Sequence, residues 1–173
     1  MLRKPLAIKE KLLDFAIISI AMILVAGCAV TPKFQLDNVN HEVLPAQAVT
    51  DFSAYKNTRT LWGGIIVSSR NLKQGSLLEV LSYPLDDNYK PDTQESPLGR
   101  FIIEHTEYLE TVNYAAGRLL TVVGPLLEIR KGTIGEAEYL YPVLTGEQLF
   151  LWPTEDQNTE PRIQFGFGVM IHN

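Results

Sequence analysis

The sequence predicts a mainly β fold, five strands with one short helix between the third and fourth, and three observations predict it. Apolar residues come in short β-branched and aromatic runs broken by Gly and Pro; only one stretch, Thr106 to Ala116, switches to a helical period; and no later apolar run approaches the length of a membrane span.

The chain opens with Arg3, Lys4, Lys9 and Lys11, then the apolar run Phe15 to Ala26, then the small residues Ala26 and Gly27. Basic head, apolar middle and small-residue exit are the order of a secretory signal peptide. As a helix the run reaches about 18 Å, well short of a ~30 Å hydrocarbon core. Cys28 follows at once and is the only cysteine, so a disulfide within one chain is excluded. Residues 1–27 are therefore read as signal. Without them the chain has 146 residues, about one domain, and loses four positive and two negative side chains, which leaves a formal charge of -7. An acidic surface with no Lys/Arg cluster argues against nucleic acid and against charge-driven docking on anionic headgroups.

Residues 28–57 are read as a tether, with Pro32 and Pro45 as breakers and a helical turn or two expected in Pro45 to Tyr55. The domain is placed at 58–153. Leu61 to Val67 is its first strand, where Gly63-Gly64 predicts a bulge or sharp bend; Asn71 to Gly75 is a turn and Leu77 to Leu85 the second strand. Pro84 to Pro97 is an acidic loop. Lys90 and Pro91 stand where an EF-hand needs an oxygen ligand and a glycine, so no metal site is expected there.

Gly99 to Glu104 is the third strand. Thr106 to Ala116 then places Tyr108, Leu109, Val112 and Ala116 on one helical stripe, with Thr106 as N-cap, Glu107 and Glu110 near the positive end of the dipole and Gly117 as the stop. Arg118 to Ile129 is the fourth strand, interrupted at Gly124-Pro125, and Tyr139 to Trp152 the fifth, kinked at Pro142 and at Thr145-Gly146. This order is that of an OB-fold, a five-stranded partly open barrel; an antiparallel sandwich is the competing architecture, and a membrane-spanning barrel, which needs at least about eight strands, is excluded. In the tail, 154–173, Ile163, Phe165, Phe167, Val169 and Ile171 alternate with other residues, either as an extra edge strand or as an apolar strand offered to an envelope partner, a second copy or the membrane.

His41, His105 and His172 show no metal-ligand spacing, and neither a phosphate-binding glycine loop nor a nucleophile elbow occurs. No cofactor and no catalytic residue is therefore assigned. Trp62 and Trp152 are the candidates for a ligand face, since exposed indoles on an OB barrel stack on bases or sugars; large aromatics near strand ends also close barrels.

Val25-Ala26-Gly27-Cys28 resembles the lipobox of bacterial lipoproteins, in which the thiol is diacylated and the chain is cut before it. Trp62-Gly63-Gly64-Ile65-Ile66, Leu78 to Leu85, Gly99-Arg100-Phe101, Gly117 to Gly124, Tyr141-Pro142-Val143 and Leu151-Trp152-Pro153 are similar to the Slp family of outer-membrane lipoproteins of Gram-negative bacteria. The likeness leaves out the tether and the tail after Pro153. It implies lipid on Cys28, a place at the outer membrane facing the periplasm, no enzymatic activity, and a structural or stress-adaptive role in starvation or acid. Ala29 after the cysteine, in place of the aspartate that favours inner-membrane retention, agrees. The alternative is a periplasmic OB-type module that binds an oligosaccharide or peptide.

Overall fold

In the structure, a computed structural model, residues 32–154 are described. The signal, Cys28 and the alternating tail 155–173 lie outside them. Seven strands form one sheet: β1 (Val39–Asn40), β2 (Arg59–Asn71), β3 (Ser76–Ser82), β4 (Gly99–His105), β5 (Leu119–Ile134), β6 (Ala137–Thr145) and β7 (Gln148–Leu151). Their order is β1-β2-β3-β4-β6-β5-β7, and β2 also pairs with β5, so that β2 to β6 are linked in a ring. The ring is thinnest between β4 and β6, which pair in parallel over only Ile102–Glu104 and Val143–Thr145. The mainly β, OB-like class holds, as one partly ringed sheet of seven strands in place of a five-stranded barrel. β1 and β7 are added to the outside of β2 and β5, and the pairing of β2 with both β3 and β5 joins what a sandwich would keep as two sheets.

Alternation explains the core. Trp62, Ile66, Leu78, Val80, Phe101, Ile103, Leu120, Val122 and Leu144 point inward and are buried together. Their neighbours Leu77, Ile102 and Val143 point outward and would be wet in a plain barrel, but with Tyr141 they make a second small core. Strands buried on both faces read as continuous apolar runs, which is how Leu119 to Val123 looks in the sequence.

Glycines act mostly by letting segments approach. A Cβ on Gly64 would stand 2.0 Å from the Leu81 carbonyl oxygen, and one on Gly63 would meet Leu85 and Pro91 of the acidic loop. The bulge expected at Gly63-Gly64 falls instead between Ile66 and Ser68, and a second lies between Leu126 and Glu128. Gly124-Pro125 does not interrupt β5. The predicted fifth strand is two, β6 and β7, divided at Gly146-Glu147, where the Gly146 N–H donates to Glu104 O at 2.8 Å and the chain crosses from the edge of β4 to that of β5.

The helix expected between the third and fourth strands is not formed: Thr106 to Arg118 is a chain of turns. Its backbone groups find partners across the barrel end instead. Ser76 Oγ accepts from Leu109 N at 2.8 Å and donates to Glu107 O at 3.0 Å, and Tyr108 donates to Lys73 O at 2.7 Å. Thr111, Val112, Asn113 and Tyr114 are weak helix formers, and a short helix needs an apolar face to bury. Here Val112 is 77% exposed and Tyr108 64%, while Leu109 and Tyr114 pack on the core from separate turns.

The helices that do form lie earlier, in the segment where helical turns were expected: α1 (Pro45–Thr50) and α2 (Phe52–Tyr55). Pro45 takes the first position, and Gln47 Oε1 accepts from Leu44 N at 2.9 Å, satisfying one of the donors a helix start leaves free. Within residues 28–57, read from sequence as a tether, Val43 and Ala48 enter the core and β1 pairs with β2.

Candidate functional site

A cavity of about 580 Å³ lies between His41–Leu44 and the loop from Tyr83 to Leu98. Its floor is apolar, from Leu61, Trp62 and Val43, and Asp86 and Asp87 stand on its rim. The Asp86 carboxylate is occupied locally: Oδ1 accepts from Asn88 N at 2.8 Å and Lys90 N at 2.9 Å, while Asp92 Oδ1 accepts from Gln94 N at 3.0 Å. These are Asx turns, the reason Asp is favoured in such loops. Among the described residues no group of three or more His, Cys, Asp or Glu side chains is placed to hold a metal ion.

The two tryptophans are not brought together. Trp62 is paired with Val122 and Gly63 with Thr121 in the β2/β5 register, so successive positions face opposite sides of the sheet. Trp62 points inward, edge-on to Phe101 at 5.2 Å, and its Nε1 donates to Val43 O at 2.7 Å. Trp152 lies on the outer side, where its Nε1 donates to Thr121 Oγ1 at 3.0 Å and the Lys90 ammonium sits 5.9 Å from its ring centre. Both are buried. No single ligand stacks on the pair, although Trp62 contributes to the cavity floor.

A second concentration of polar groups was missed in the sequence. On the outer face of β3 and β4, beneath the β5–β6 hairpin, Arg100 donates to Glu79 at 2.7 Å, Tyr141 donates to the same carboxylate at 3.2 Å, and the Arg100 N–H donates to Tyr139 Oη at 2.9 Å. Arg130 pairs with Glu104 at 2.6 Å and with Glu128. Glu79, Tyr141 and Arg130 line a shallow hollow of about 360 Å³ that Arg70 and Lys131 also border. A charged Glu79 at an outward position of an apolar strand was the only signal, since the partners come from strands 21 and 62 residues away.

Desolvation opposes the charge of Arg130 but is outweighed by its bonds and attraction to Glu104 and Glu128, so its pKa is raised. The Tyr141 phenol is pushed above its usual value by burial and then by the Glu79 carboxylate; Tyr114 is pushed up by burial, partly offset by Arg118. These groups stay charged and neutral respectively at ordinary pH, the opposite of what a general base requires. His105 is tied down as well, its Nδ1–H donating to Gly146 O at 2.8 Å. Both phenols hold their proton more tightly folded than unfolded. The stability they contribute is complete below about pH 10 and is lost as pH rises through their raised folded values. In a phenolate absorbance titration of the native protein, Tyr141 and Tyr114 should ionise late and unfolding should accompany them; both ionising at the ordinary value would refute this.

The family model for the outer membrane lipoprotein Slp family matches residues 25–169, which takes in both the stretch 28–57 and most of the tail that the sequence likeness left out. An uncharacterized protein of Haemophilus influenzae is 32% identical over 145 residues, covering 75% of either chain. In Escherichia coli, the uncharacterized lipoprotein YeaY is 31% identical over 90 residues, 52% of this chain and 46% of that one. The outer membrane protein Slp is 26% identical over 98 residues, 57% and 52%. The chain thus spans about half the length of these last two relatives. Among solved structures, Schizosaccharomyces pombe Pot1pC bound to ssDNA aligns with TM-score 0.30 and 10% identity over 72% of this chain and 90% of that one, too distant to carry an argument.

Proposed function

The chain belongs to the Slp family of outer membrane lipoproteins, and from that premise we propose that acyl chains on Cys28 hold it in the outer membrane, facing the periplasm, as a non-enzymatic envelope protein with a structural or stress-adaptive role. The observation that carries the anchor is where the family match begins: Val25, first residue of Val25-Ala26-Gly27-Cys28, so the thiol falls within the stretch shared with lipoproteins. Each buried CH₂ contributes about 0.8 kcal/mol, and two or three acyl chains give durable attachment where one does not. The non-enzymatic reading draws support from the use made of the polar clusters: the Asp86 and Asp92 carboxylates build turns, and Glu79, Arg100 and Tyr141 fasten the β5–β6 hairpin to the sheet. The starvation and acid role rests on the family alone.

The test is the intact mass of protein extracted from bacterial membranes beside the Cys28→Ala variant. The expected result is loss of residues 1–27 with a gain of two or three acyl chains, and a variant that is unprocessed or released. An unmodified mass in the parent would overturn the anchor. The cavity over Trp62 favours a second reading, a binding module for a peptide or oligosaccharide. Trp62 emission unchanged by a broad set of peptidoglycan and glycan fragments would remove it.

A further inference from the structure

The chain emerges from the domain at a definite place. Pro32 is buried, and just after it Phe34 packs edge-on against Tyr89 at 6.1 Å and Phe150 at 6.4 Å; Phe150 in turn meets Trp152 at 4.8 Å. Phe34, Tyr89 and Phe150 are half-buried, so each still presents part of its ring at the surface, and Lys33 and Lys90 beside them are exposed. Three residues separate Cys28 from Pro32 in the sequence. Four Cα–Cα steps span at most about 14 Å even when fully extended.

We propose that the Phe34–Tyr89–Phe150 face rests on the lipid headgroups of the membrane that holds Cys28. The inference depends on the lipid reading of Cys28. Given that anchor, the leash leaves Pro32 within about 14 Å of the acylated sulfur's residue, little more than the 10–12 Å thickness of a single helix with its side chains. A folded domain thicker than one helix does not fit between Pro32 and the bilayer. Aromatic rings and long Lys stems are the side chains that settle at a membrane interface. The contact can be weak in itself, because a short tether converts it to an intramolecular one at an effective concentration in the mM range. Asp86 and Asp87 are exposed on the loop that carries Tyr89 and Lys90. The face is therefore not a cationic patch, and zwitterionic lipid should serve as well as anionic lipid.

The chain offers its own control, because Cys28 is its only thiol and an acylated Cys28 takes no maleimide. The experiment uses the lipidated protein, reconstituted in phosphatidylcholine vesicles that carry a headgroup-level lipid quencher, with a maleimide fluorophore at Lys33→Cys or Glu136→Cys. Glu136 lies in the turn beyond Ile134, and Thr121, the register partner of Phe150, stands thirteen residues before Ile134, about 43 Å of strand at roughly 3.3 Å per residue. The expected result is quenching at position 33 at least about threefold stronger than at 136, in protein whose parent chain stays unlabelled. Equal quenching with the parent unlabelled overturns the proposal while leaving the anchor intact. A label at 33 shielded from both the lipid quencher and aqueous iodide would put a second copy of the chain on this face and overturn it too. Labelling of the parent at Cys28 would remove the anchor and the proposal with it.

Discussion

Gly124→Ala is expected to leave the chain unfolded or confined to inclusion bodies, a loss of at least about 4 kcal/mol. A Cβ at this position would stand 1.6 Å from the Thr145 carbonyl oxygen and 2.9 Å from its carbon. The obstacle is backbone, so no side chain can turn aside to relieve it. Three segments converge there: Thr60 of β2 is the register partner of Gly124, β6 ends at Thr145, and Glu147 N donates to Val123 O at 3.0 Å. Moving β5 away from Thr145 would break the β2/β5 pairing that completes the ring. A domain of this size has about 5–15 kcal/mol in total, so the single methyl removes a large share of it. Gly117→Ala is the control. That residue has φ +89° with nothing within 4 Å of an added Cβ, so it should lose only the left-handed strain of about 1–2 kcal/mol. Urea unfolding of a soluble chain lacking residues 1–28 gives the Gly117→Ala value, and Gly124→Ala should show no cooperative transition. A Gly124→Ala variant folded within about 1 kcal/mol of its parent would refute the packing argument.

The same position shows how far a sequence can be read. Gly124-Pro125 reads as a break in a strand that in fact runs through it; the glycine answers to a contact with a residue 21 positions on, and cross-strand register is invisible without the partner. Strands β2 to β4 were legible because alternation and turn residues are local. Thr106 to Ala116 has the helical stripe, and it failed to become a helix because Tyr108 and Val112 of that stripe face water while Ser76 and Lys73 take polar groups of the segment. The packing of Val43 and Ala48 had no local sign either, since an isolated valine and alanine among polar residues look the same whether or not a barrel end is waiting for them. The site beneath the β5–β6 hairpin depends on three strands arriving together, and only Glu79 hinted at it.

Trp62→Ala should cost about 3–5 kcal/mol, and the size of the loss separates a core role from a binding role. The indole is 4% exposed, fills the barrel against Phe101, and donates to Val43 O, which ties the N-terminal segment to the ring. Trp62→Phe keeps most of the volume and leaves that buried carbonyl without its donor, for about 1–3 kcal/mol. Trp152→Phe should cost less, about 1 kcal/mol, because Thr121 Oγ1 keeps its own bond to Tyr89 O at 2.7 Å when the indole N–H is gone. The order Trp62→Ala, Trp62→Phe, Trp152→Phe in urea midpoints is the check. A Trp62→Ala chain as stable as its parent would mean that the ring contributes little to the core, and the cavity above it would then be the better account of why a tryptophan stands there. A large loss fits a residue that joins the β2–β6 ring to the N-terminal segment through the bond from Trp62 to Val43.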